Sequence, residues 1–125
     1  MNAIRQAKTA YGPGANSIKT PRGAEYETLA RVTMHLKNAQ DRGPEGFAEL
    51  VAALHDNRRL WTILASDVAD HNNPLPPQLR ARIVYLAEFT QLHSQAVLNR
   101  TANADPLIEI NSTVMSGLRN RGAAL

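Results

Sequence analysis

Phe47 to Pro76 reads FAELVAALHDNRRLWTILASDVADHNNPLP. Phe47, Leu50, Leu54, Asn57, Trp61, Leu64 and Val68 recur at alternating steps of three and four, the spacing that stacks side chains on one face of an α-helix. Asn57 is the single polar member of that stripe, and the only Trp lies one turn beyond it. A buried Asn must find hydrogen-bond partners or cost roughly 1–3 kcal/mol, so Asn57 is expected to fix how this helix pairs more than to stabilise it.

Outward from this stretch the chain divides into helices. Its 125 residues suffice for one core and not two. Hydrophobic residues make up 43%, so a packed fold is expected, while aromatics are only 5% and Val and Ile form no alternating runs. The fold class read from this is all-α, a small bundle of about four main helices. Thr20-Pro21 looks like an N-cap followed by proline at the first helical position, opening a helix to about Gln40 with Tyr26, Leu29, Thr33 and Leu36 on one face. Asp41-Arg42-Gly43-Pro44 stops it, and a second helix runs from Glu45 to about His71. The prolines at 74, 76 and 77 reverse the chain. A third helix, about Pro77 to Arg100, presents Leu79, Ile83, Leu86, Thr90, His93 and Val97. Folding it back antiparallel sets Asn57 near Thr90, with His93 close by, as a polar layer between apolar ones. Asp105-Pro106 repeats the cap-then-proline signature, and the last helix is expected to end near Leu118 with Leu107, Asn111, Val114 and Leu118 inward. Residues 1–19, with Gly12-Pro13-Gly14, read as an arm that is mobile unless a partner orders it. Residues 20–118 read as the single domain and 119–125 as a fraying tail.

Composition narrows the function classes. There is no cysteine, which excludes a disulfide scaffold and thiolate metal sites. No apolar run reaches signal-peptide or membrane-span length, so a soluble, cytoplasmic protein is expected, with no membrane insertion. Lys and Arg exceed Asp and Glu by 14 to 11 with the signs interspersed, which establishes no nucleic-acid footprint despite a pI near 9.7. His35, His55, His71 and His93 are far apart, with no second ligand or base at a recognised spacing. An enzyme is not expected, nor a cofactor or metal. Trp61, in the apolar stripe, reads as a core anchor rather than a partner-binding one, and Asn57 and Asn111 as buried structural groups. Arg58 and Arg59 lie just off the stripe, suited to a nearby carboxylate such as Asp67 or to solvent.

Several segments together resemble the FlaF family, flagellar biosynthesis regulators and flagellin secretion proteins of alphaproteobacteria. They are Tyr11; Pro21-Arg22 with Glu25-Tyr26; Leu54 with Asn57-Arg58-Arg59-Leu60-Trp61 and Asp67; Asn73-Pro74-Leu75-Pro76 with Leu79-Arg80-Ala81; and Leu107-Ile108-Glu109-Ile110-Asn111 with Met115-Ser116-Gly117-Leu118-Arg119. The resemblance runs almost end to end. It implies an all-helical cytoplasmic protein that binds flagellin, keeps it competent for the flagellar type III export apparatus and works alongside the flagellin-mRNA regulator FlbT. Flagellin's terminal segments are apolar helices, and helix-in-groove recognition suits a small bundle. Apolar residues off the main stripes are either covered by the first and last helices or line such a groove. The groove set is Leu60, Ile63, Tyr85, Phe89 and Leu92, with Arg80 and Arg82 as its polar rim. Two alternatives stand beside a flagellin chaperone. One is a post-transcriptional regulator acting with FlbT on flagellin mRNA, favoured by Arg100, Arg119 and Arg121; the other is an adaptor without chaperone activity.

Overall fold

The computed structural model describes residues 21–124, with side chains for 26–117. The arm, the Thr20 cap and Tyr11 lie outside the described residues, as do the side chains of Arg22, Glu25, Leu118, Arg119 and Arg121. Four helices follow in order: α1 (Pro21–Asp41), α2 (Phe47–Ala69), α3 (Pro77–Leu98) and α4 (Asp105–Ala124), with a 3-10 turn (Gly43–Gly46) between the first two. The described residues hold no strand, and the all-α reading stands.

Local chemistry sets the helix ends. Gly43 takes a left-handed φ of +65° after α1, a conformation that costs glycine least. The turn then folds tightly onto α1: a Cβ added at buried Gly46 would stand 2.3 Å from the Ala39 carbonyl oxygen. At the far end of α2, Asn73 Nδ2 donates to the Asp67 carbonyl (3.2 Å), and Arg80 donates through Nε to Val68 O (2.8 Å) and through Nη2 to Asp70 O (3.1 Å). These bonds satisfy carbonyls the helix end leaves open. The Asn72 backbone N–H, bonded to the Asp70 carboxylate at 2.9 Å, holds that group below the usual carboxylate range.

α3 closes in a Schellman arrangement, with Thr101 N–H on Ala96 O and Arg100 N–H on Val97 O, both at 3.0 Å. Arg100, not glycine, holds the left-handed position (φ 61°), and its guanidinium stacks 4.1 Å over the Phe47 ring. α4 starts differently from the sequence expectation. Asn103 Oδ1 accepts the Asp105 N–H (2.9 Å), while the Asp105 carboxylate accepts from Gln40 Nε2 of α1 (2.6 Å) instead of capping its own helix. The Gln40 amide oxygen in turn receives the Ala104 N–H. α4 also continues to Ala124 rather than stopping near Leu118. Glycine lowers helix propensity by about 1 kcal/mol, but neither Gly117 nor Gly122 is followed by proline, so nothing forces a stop.

The helices form a square. α1 packs on α2 and α4, α2 packs on α1 and α3, and α3 barely meets α4. The backbones of α2 and α4 stand apart across one diagonal. Leu29, Val32 and Leu36 of α1, Ala53, Leu54 and Leu60 of α2, Val97 of α3 and Leu107 of α4 make the core. No described helix is long and apolar enough to cross a membrane.

Candidate interaction surface and polar core

The expected stripe on α2 turns inward, with Leu54, Asn57 and Trp61 fully buried. Asn111 of α4 is equally buried and meets them across the diagonal. Trp61 Nε1–H donates to Asn111 Oδ1 (2.9 Å), and Asn111 Nδ2 donates to Asn57 Oδ1 (2.8 Å). The large indole fills the space between two helices whose backbones do not touch, and its N–H finds an acceptor there.

This corrects the expected pairing of Asn57 with Thr90 and His93. Thr90 is buried, but neither its hydroxyl nor Asn57 Nδ2 has a hydrogen-bond partner among the described residues. His93 is half-buried and donates from Nε2 to the Asn103 carbonyl (2.8 Å), in the loop leading to α4. The α3 residue that turns inward beyond Thr90 is Ser94, four positions on, not His93 at three. Sequence reasoning passed over Ala87 and Ser94 because it sought large apolar residues, although 83, 87, 90, 94 and 97 also keep the helical step. The antiparallel register is otherwise as expected to within two residues: Arg58 donates to Gln91 Oε1 (2.9 Å) rather than to a carboxylate, and Gln91 Nε2 returns to the Arg58 carbonyl (3.1 Å).

The residues assigned to a groove divide. Tyr85 is 67% exposed and Leu92 75% exposed, and Phe89 between them is half-buried, stacked on His93 with ring centroids 5.4 Å apart. Gln91 bonds to α2 on one flank of α3, which puts Phe89 on the opposite flank, with Tyr85 and Leu92 beyond it on the outer face. Leu60, by contrast, is buried in the core and Ile63 packs against it. Both follow Asp56 at helical spacing, and Asp56 lies beside α1 with His35 and Asn38. They therefore stand on the wrong side of α2 to share a surface with Tyr85. Arg80 is not a rim residue either, since its guanidinium is bound to the end of α2; Arg82 is exposed.

One other hollow, between α1 and α2, is lined by His35, Asn38, Arg42, Glu49, Ala52 and Asp56. Arg42 Nη1 and Glu49 Oε1 form an ion pair across it at 2.6 Å, and Glu49, held first by backbone N–H and then by Arg42, titrates below its usual range. Both partners are more than half exposed, so solvent screens the pair. No group of three His, Asp or Glu that could hold a metal occurs among the described residues.

The fold is thus an all-helical bundle whose buried polar groups lock helices together and whose outer α3 face carries aromatic and aliphatic side chains. The chain belongs to the family described as flagellar protein FlaF, which matches residues 7–118. Neither the curated proteins nor the solved structures give a match. Membership in that family gives the protein a role in flagellar biogenesis.

Proposed function

We propose that this protein binds flagellin in the cytoplasm through an apolar terminal helix, and so supports flagellin production and export as a chaperone-like, non-enzymatic regulator. The carrying observation is the match to the flagellar protein FlaF family over residues 7–118. The surface that suits the task is the open edge of the square, where α3 barely meets α4 and Tyr85, Phe89 and Leu92 stand on the side of α3 away from Gln91. An amphipathic helix laid along that edge would bury its apolar stripe against them. FlbT and the export apparatus are the further partners of this reading. Arg100, one of three arginines that suit a direct mRNA contact, is engaged with Phe47.

Calorimetric titration with monomeric flagellin tests the proposal, repeated at raised salt and with flagellin lacking its terminal helices. Saturable binding that survives salt and vanishes on truncation is the expected result. Full binding by the truncated form rules out helix capture, and affinity for flagellin mRNA that falls steeply with salt supports the regulator of synthesis instead.

A further inference from the structure

α3 is packed against its one close neighbour with the wrong kinds of residue. Its buried side chains are Ala87, Thr90, Ser94 and Val97, while Tyr85 and Leu92 stand in solvent. Only Val97 joins the fully buried apolar cluster. Thr90 Oγ1, Ser94 Oγ and, on α2, Asn57 Nδ2 are all fully buried with no hydrogen-bond partner among the described residues. A buried polar atom that has lost water without gaining a partner raises the energy of the closed state, and opening the seam relieves it. What holds α3 in place lies at the margins: the Arg58–Gln91 bonds along a part-buried rim, Arg80 at one end and Arg100 on Phe47 at the other. Such bonds can be exchanged for bonds to water. α4 adds little restraint, because it barely meets α3.

We infer that α3 is a helical lid, which swings away from α2 about the segments 70–76 and 99–104 while α1, α2 and α4 stay assembled. The Asn57–Asn111–Trp61 chain joins α2 to α4 directly and does not need α3. The three uncompensated polar atoms are what keep the lid poised to open. This inference stands apart from flagellin binding and is tested without flagellin.

Amide hydrogen exchange on the full chain reads the lid. Amides of residues 83–97 are expected to exchange at least roughly ten-fold faster than those of 29–36 and 107–111, with a shallow denaturant dependence that marks partial opening. The double variant Thr90→Val, Ser94→Ala removes two of the uncompensated atoms and nearly keeps the shape. It is expected to raise Tm by about 4 °C or more and to slow exchange in α3 about ten-fold. Equal protection of α3 and α1 in the unaltered protein would overturn the lid. So would a double variant with a lowered Tm, or one that fails to fold, because the hydroxyls would then be satisfied in the closed state.

Discussion

Asn111 stands between two groups that have no other partner at those atoms: it accepts from Trp61 Nε1–H and donates to Asn57 Oδ1, all three residues being fully buried. Truncating it strands a donor and an acceptor together and leaves a void beside the indole. Asn111→Ala is therefore expected to lose about 2–5 kcal/mol, read by urea unfolding followed through Trp61 fluorescence. A loss under about 1 kcal/mol would mean that water enters and replaces the amide. Burial of Asn57, Trp61 and Asn111 was legible in the sequence, because each interrupts or joins an apolar stripe of helical spacing. Their mutual bonding was not. Spacing within one helix defines a face and says nothing of which other helix that face meets, so Asn57 was assigned to Thr90 when its partner lies across the diagonal.

Helix ends are where single arginines carry the most weight. Arg100 accepts a left-handed backbone that glycine adopts freely, and stacks on Phe47 in return. Arg100→Gly is accordingly expected to be near neutral, since relief of about 1 kcal/mol of backbone cost offsets a cation–π contact of about 0.5–1 kcal/mol. Arg100→Ala keeps the strain and loses the contact, and is expected to cost about 1 kcal/mol; the two midpoints in urea decide. Arg80→Gln removes charged donors from the Val68 and Asp70 carbonyls and is expected to cost about 1.5–3 kcal/mol, whereas Arg82→Gln on the exposed surface stays within about 0.5 kcal/mol. Thermal unfolding of the pair checks that contrast. Helix starts were easy to read because proline fixes φ and lacks a donor, as at Pro77 and Pro106. Stops were harder: the glycine at 117 suggested an end that α4 passes through, since an exposed glycine inside a helix weakens it without breaking it.

At the scale of the molecule, three edges of the square are packed and the fourth, α3 against α4, is open. The off-stripe apolar residues could be identified from sequence, but not sorted, because their position depends on which flank of α2 meets α1 and which meets α3. Leu60 and Ile63 went to the packed flank, and Tyr85 and Leu92 were left in solvent. That division makes the binding proposal separable from stability. Leu60→Ala opens a hole in the core and is expected to lower stability by about 2–5 kcal/mol while sparing flagellin affinity in the molecules that remain folded. Tyr85→Asp combined with Leu92→Asp places two charges on the exposed face. It is expected to leave Tm within about 2 °C and to weaken flagellin binding at least about ten-fold, because apolar anchors dominate an interface of this kind. Arg82→Glu should act mainly on the association rate and its salt dependence, as a charge outside the apolar contact does. Titration calorimetry beside thermal unfolding separates the effects. Loss of affinity in the folded Leu60 variant, with none in the Tyr85 and Leu92 variant, would move the flagellin site from the α3 face to the α1–α2 side of the bundle.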